Sequence, residues 1–299
     1  RVRLVYSRVE ACSGAHEIEH PAAREILKKY QISTGVEIHY DGDLPARSGM
    51  GSSSAFSVGL INAISAYTGL SRSKIDLAQE AIDIEQNVLG ERVGSQDQVN
   101  AAYGGLNHIL FHPGGEIEVR EVDISANQRR ELKDNLMLFY TGIMRTAETV
   151  ASSYLENLVE QRERLTRMSQ FVDEALDIVS GDRDLRSFGE LLHQNWIEKR
   201  SLSQLVSNSR VDEIYRAARS AGALGGKLTG AGGGGMMLLY VPKEYQIQVR
   251  EKLSQLLYIP FDFTDSGSEI IFRDIQARYD EAVSRPAELG KFIEVDELK

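Results

Sequence analysis

The amino-acid sequence predicts an α+β protein built in two parts. Three observations predict it. Short alternating segments such as Gly35 to Tyr40 stand beside apolar runs long enough for buried helices, Phe56 to Tyr67 above all. Two pairs of strand-like segments are joined by turns containing glycine: Leu106 to Phe111 with Glu116 to Val122, and the two sides of Ala223 to Val241. The 299 residues suffice for two cores, and a polar stretch, Asp123 to Arg130, divides them. The parts are then residues 1–125 and 126–274, followed by a charged tail at 275–299.

In order, Arg1 to Val9 alternates like one strand. His16 to His20 spells HExxH, the zinc protease helix motif. Pro21 disfavours helical angles at His20 and opens the next helix, Ala22 to Tyr30, so the two histidines do not share a helix face. The strand at Gly35 to Tyr40 runs into Pro45-Ala46-Arg47-Ser48-Gly49-Met50-Gly51-Ser52-Ser53-Ser54-Ala55. Two glycines let the chain turn sharply, and a serine can cap the helix behind. That helix is apolar all round, so its start opens into the interior of the fold. Unpaired N–H groups and partial positive charge there form a cradle for phosphate. Three consecutive serines exceed what one cap needs, and a spare hydroxyl can ligate a nucleotide's magnesium. The loop is not a Walker A motif, because no Gly-Lys-Ser/Thr follows the glycines.

A helix over Lys74 to Leu89, capped by Ser73, carries Glu85 on its apolar face. A carboxylate there needs either an arginine, Arg47 or Arg92, or a cation. Ser95 can cap a short helix with Asp97 in its first turn, where an acid complements the helix dipole. The hairpin follows, turning at His112 to Gly115. Asn135 to Tyr140 reads as a buried strand, with helices over Thr146 to Val179, Leu185 to Leu205 and Val211 to Ala221. Gly230 to Gly235 matches GxGxxG, but Met236 to Val241 reads as a strand, whereas a dinucleotide fingerprint opens a helix. Six small residues exceed what a hairpin needs and suggest close approach to a ligand. A helix over Lys243 to Leu257 and strands near Phe261 and at Glu269 to Arg273 complete the pattern.

Bulk properties narrow the partners. The net charge of −10 argues against nucleic acid or an anionic membrane. Cys12 is the single cysteine, as expected of a cytoplasmic protein. No apolar run is long enough to span a bilayer.

The stretch PARSGMGSSSA resembles the second signature of the GHMP kinases, the galactokinase, homoserine kinase, mevalonate kinase and phosphomevalonate kinase superfamily. Met50 stands for the usual leucine, and Ser54 is an extra serine before Ala55. Lys227, Gly230, Gly232, Gly234 and Gly235 occupy the positions of the third signature, with Gly233 as a further glycine. Gly94-Ser95-Gln96-Asp97-Gln98 is similar to the pattern around the catalytic aspartate, twelve residues after Glu85. HPAAREIL, LFYTGIMRTA, LLHQNWIEKRSLS and VDEIYRAARSAGALGGKLTGAGGGG resemble, more closely, the D-glycero-D-manno-heptose 7-phosphate kinase branch.

The resemblance implies an N-terminal nucleotide-binding domain of the GHMP fold and a ferredoxin-like C-terminal domain. It implies transfer of the γ-phosphoryl of ATP to the anomeric hydroxyl of a sugar phosphate, with fucokinase or galactokinase activity as the alternative. Pro45, Arg47 and Ser48 to Ser54 would hold the nucleotide, Ser53 and Glu85 would hold Mg2+, and Asp97 would be catalytic. Arg145, Lys199, Lys227, Gly230, Gly232, Gly233 and Gly234 would line the substrate's side. A homo-oligomer is compatible with all of this. The family's first signature does not precede Arg1, so the expectation is either a chain that begins partway through the native protein or a degenerate relative, such as a non-catalytic sugar or nucleotide sensor.

Overall fold

The computed structural model describes residues 1–43, 48–144, 147–155 and 159–274. Arg1–Glu269 form one compact unit and Ile270–Lys299 a second. All elements below belong to the first unit, and Glu269 to Arg273, expected as a strand, makes no strand pairing.

The alternating first residues form a hairpin and not one strand. The strand β1 (Val2–Val5) turns at Tyr6 to Arg8 and pairs antiparallel with β2 (Val9–Cys12). The turn is closed by the Tyr6 N–H donating to the Arg8 carbonyl at 2.8 Å. A single 3₁₀ turn (Ala15–Glu17) leads to helix α1 (Pro21–Lys29), and β3 (Val36–His39) returns parallel to β1. The imidazole of His20 lies between the rings of Tyr6 and Phe56, and its Nδ1 accepts the Ala23 N–H, capping α1. His16 sits in the preceding turn, so the HExxH letters never share a helix.

Helix α2 (Ser52–Tyr67) is the buried helix that the apolar run predicts, packed among α1, α3 (Lys74–Asp83) and α4 (Gln96–Tyr103). Its cap differs from expectation. Gly51 is the N-cap with φ +67°, and no serine side chain caps the helix. A left-handed residue turns the chain into the helix without help from a hydroxyl. Ser73 does cap α3, reciprocally with Asp76. Beyond Asp83 the helix widens into a π turn, Ile84–Val88, where the Leu89 N–H reaches the Ile84 carbonyl at 2.9 Å. Ser95 precedes α4 but its hydroxyl accepts from Gln86 Nε2 at 3.0 Å, so it caps nothing. Strands β4 (Asn107–Phe111) and β5 (Ile117–Glu121) form the expected hairpin.

The polar stretch after β5 is half helix: α5 (Ala126–Asn135) starts from a capping box between Ser125 and Gln128. It runs into β6 (Leu136–Tyr140), then α6 (Ala147–Leu155), α7 (Arg162–Ser180), α8 (Arg186–Arg200) and α9 (Ser209–Ser220). Strands β7 (Gly225–Leu228) and β8 (Met236–Tyr240) flank the glycine cluster, and α10 (Gln246–Lys252) precedes β9 (Leu257–Ile259). The sheet order is β7-β8-β6-β9 with every neighbour antiparallel, the arrangement of a ferredoxin-like β-α-β-β-α-β unit.

Both faces of this sheet are covered. Met137, Phe139, Met237 and Leu239 join one core with Trp196 and Val211, while Leu136, Leu238 and Tyr240 join another with Ile178 and Leu191. Burial on two faces explains why NLMLFY and MMLLYV read as unbroken apolar runs. Among the described residues no helix is long and apolar enough to cross a membrane.

Candidate active site

Two glycine turns, far apart in sequence, pack against each other. Thr229 Oγ1 donates to the Gly49 carbonyl at 2.8 Å, bridging 180 positions. A Cβ on Gly235 would lie 2.6 Å from the Ser48 carbonyl oxygen, and one on Gly230 would lie 3.7 Å from that of Gly49. Register explains why the turn arrives there. Thr229 to Gly235 joins β7 to β8, and Thr141, just beyond β6, donates its N–H and Oγ1 to the Gly235 carbonyl.

Most of the smallness of the second turn serves protein against protein. A Cβ on Gly232 would meet Val206 Cγ1 at 2.7 Å, and one on Gly234 would meet the Ile143 carbonyl at 2.6 Å. The Gly233 N–H donates to the Val206 carbonyl and the Gly235 N–H to that of Ile143, while Asn208 Nδ2 donates to the Gly233 carbonyl. The backbones of Gly232, Gly234 and Gly235 approach Val206, Ile143 and Ser48. Lys199, expected at the substrate, directs Nζ at the carbonyls of Leu228 and Gly230 and so braces the same turn.

The first turn of α2 faces both acids. A Cβ on Gly51 would touch Asp97 Cβ and Cγ at 3.1 Å, so Asp97 lies directly against the start of α2. Burial pushes the Asp97 carboxyl above the usual carboxylate range, although a hydrogen bond from Gln96 opposes the shift. Glu85, at the start of the π turn, is 2 % exposed. Its Oε2 accepts from Ser54 Oγ at 2.9 Å and from Gln98 Nε2 at 2.6 Å, and no arginine pairs with it among the described residues. Its Oε1 is buried with no hydrogen-bond partner among the described residues, as is Gln98 Oε1. Ser53, one helix position earlier, is exposed. Ser48 is fully buried, and Met50 is 44 % exposed. The α2 N–H groups of Ser52, Ser53 and Ser54 precede the first intrahelical bond, made by the Ala55 N–H to the Gly51 carbonyl at 2.9 Å.

Lys227 points from β7 toward α8, its Nζ donating to Asn195 Oδ1 at 3.4 Å, and burial pushes its pKa down. Pro45, Arg47 and Arg145 lie outside the described residues. Sequence reasoning missed Thr229, Gln98 and the contact of Ser54. Thr229 lies inside the second glycine cluster and Gln98 directly follows Asp97, but nothing local marks either as a partner.

Comparison with known proteins shows the family. The GHMP kinases N terminal domain family matches residues 17–105, and the GHMP kinases C terminal family matches residues 172–259. D-glycero-alpha-D-manno-heptose 7-phosphate kinase of Campylobacter jejuni is 30% identical over 77% of this chain and 69% of its own length. Mevalonate kinase of Pyrococcus horikoshii is 30% identical over 72% of this chain and 62% of its own length. The chain thus spans roughly two thirds of these curated relatives. A crystal structure of a D-glycero-D-manno-heptose 1-phosphate kinase from Bacteriodes thetaiotaomicron superposes with a TM-score of 0.70 at 21% identity, covering 89% of this chain and 81% of that one.

Proposed function

The chain belongs to the GHMP kinases, phosphotransferases with alcohol acceptors, and from that premise we propose that it is an ATP-dependent kinase of a sugar phosphate, D-glycero-D-manno-heptose 7-phosphate first among candidates. The anomeric oxygen attacks the γ-phosphorus, the bond from that phosphorus to the bridging β–γ oxygen breaks, and ADP leaves with the bridging oxygen. Positioning and charge neutralisation do most of the work in such a transfer. The N–H groups of Ser52, Ser53 and Ser54 and the positive end of α2, worth about half an elementary charge, face the phosphates. Asp97 takes the hydrogen bond, and finally the proton, of the acceptor hydroxyl, and its raised pKa suits a proton acceptor working near neutrality.

The donor set fits a hard divalent cation. Glu85 Oε1 and Gln98 Oε1 are buried acceptors without donors, which is unfavourable unless a cation completes them. Glu85, with the exposed hydroxyl of Ser53, would hold Mg2+, which when bound neutralises phosphate charge. Lys227, whose charge burial otherwise disfavours, would be the cation that pairs with the phosphate the sugar already carries. In this reading the enzyme works on a small molecule in the cytoplasm, with neither nucleic acid nor membrane as partner. The reading also divides the chain near residue 125, between β5 and α5, with one core built from residues before it and another from residues after it, and a third, around Val122, Leu136 and Tyr240, spanning the division.

The observation that carries the proposal is the contact of Gly49 with Thr229 beside a helix start flanked by Asp97 and Glu85. The test is ATP consumption by the full-length protein across heptose 7-phosphate, L-fucose, galactose and mevalonate. We expect turnover with heptose 7-phosphate and at most weak turnover with the others. Turnover confined to fucose or galactose would replace the substrate. ATP binding without turnover on any of them would favour a sensor.

A further inference from the structure

We propose that Ser54 is a positioning residue for Glu85: together with Gln98 it occupies Glu85 Oε2, leaving Oε1 as the oxygen offered to a divalent cation. The inference rests on the kinase reading of Glu85 and assigns Ser54 a task distinct from that of Ser53.

The geometry begins with the start of α2. The helix opens at Ser52, so Ser53 and Ser54 are its second and third residues. Consecutive helical side chains diverge by about 100°. The two serines therefore point in different directions. Ser53 is exposed, while Ser54 is 6 % exposed and donates inward to Glu85. A serine hydroxyl has one proton to give, and that of Ser54 goes to Oε2.

The carboxylate is held from both sides. Gln98, fully buried on α4, approaches Oε2 with its amide nitrogen, which leaves its own Oε1 without a donor. Reversing that amide would set oxygen against oxygen. Oε2 thus has its lone pairs met by two hydrogen bonds, and Oε1 has none among the described residues. The backbone beneath is also held, because the Glu91 N–H, just past the π turn, donates to the Glu85 carbonyl at 2.9 Å. A carboxylate fixed through one oxygen and bare at the other is arranged for monodentate ligation. The groups that orient such a ligand typically change metal affinity about 10- to 100-fold when removed.

The test is a titration of Mn2+ onto the full-length protein with a non-hydrolysable ATP analogue, reading free Mn2+ by electron paramagnetic resonance. Ser54→Ala and Gln98→Ala, which remove the two donors from different helices, should each weaken Mn2+ binding about 10- to 100-fold. Both variants should stay folded at the assay temperature by circular dichroism, with a lowered melting point for the buried truncation at Gln98, and turnover should return at high metal concentration. Glu85→Gln is the control for the underlying reading. If it binds Mn2+ like the wild type, Glu85 is no ligand and the kinase reading of this acid fails. If Glu85→Gln loses the metal while folded Ser54→Ala and Gln98→Ala bind as tightly as wild type, the positioning role alone is overturned.

Discussion

Replacing Gly235 by alanine should force apart the two glycine turns on which the proposed active site depends. Gly235 has φ +82°, where an L-residue costs roughly 1–2 kcal/mol. Its new Cβ would stand 2.6 Å from the Ser48 carbonyl oxygen and 3.1 Å from its carbon. An ordinary carbon–oxygen contact needs about 3.3 Å, and both sides are backbone, so neither can swing away. Overpacking of this kind costs about 1–3 kcal/mol. The loss should therefore total about 2–5 kcal/mol. Gly49 supplies the internal reference. Its φ of +81° carries the same strain, but its Cβ would meet Thr229 Oγ1 at an ordinary 3.5 Å. Gly49→Ala should lose only the roughly 1–2 kcal/mol of strain. Urea unfolding of both variants measures the difference. Gly235→Ala should also bind a fluorescent ATP analogue about tenfold more weakly, an effect of roughly 1.4 kcal/mol, as the Thr229–Gly49 hydrogen bond opens. Equal stability of the two variants within about 0.5 kcal/mol would mean the turns do not touch, and the site as described would fall.

Two further substitutions examine the charged groups. Asp97→Asn should reduce turnover about 10²- to 10⁴-fold while ATP still binds. Burial raises the Asp97 pKa in the folded state, so its stabilising effect is complete below the unfolded carboxylate value and lost as pH rises through the folded one. The asparagine variant should therefore melt above wild type at neutral pH, with the gap closing toward pH about 4; a lower melting point at neutral pH would contradict this. Lys227→Met should raise KM for the sugar phosphate about tenfold or more and leave KM for ATP unchanged. Burial lowers the Lys227 pKa, so the folded state disfavours its charge, and the methionine variant should gain stability that wild type recovers as pH rises toward the lysine range. An unchanged sugar-phosphate KM would remove Lys227 from the substrate subsite.

Local signals were readable and distant partners were not. The loop before α2 is readable because glycines and serines stand between a strand pattern and an apolar helix, and the structure puts α2 there. The cap was misassigned because a left-handed Gly51 does the turning, and a residue's φ has no letter of its own. The start of α5 did carry a signal, Ser125 with Gln128 three residues on, which the surrounding polar residues masked. The first hairpin was hidden for the opposite reason: alternation continues through Tyr6 to Arg8, where the chain reverses. The run of six small residues from Gly230 to Gly235 suggests room for a ligand when seen in sequence alone. Its steric neighbours, Val206, Ile143 and Ser48, come from remote segments that no local pattern connects to it.

The first turn of α2 explains how one short segment can answer to several partners at once. Gly51 borders Asp97, Ser53 faces outward and Ser54 reaches Glu85. Helical geometry rotates each residue about 100° from the last, so neighbours in sequence become neighbours of different groups. The extra serine before Ala55 is then more than additional polarity in a loop. It lies on the inward side, where a hydroxyl meets the one buried acid of the π turn. An inserted or deleted residue before Ser54 would rotate the serine pair relative to Glu85 and Asp97 together. The order Gly-Ser-Ser-Ser, and not its composition alone, therefore decides which serine meets Glu85 and which faces outward.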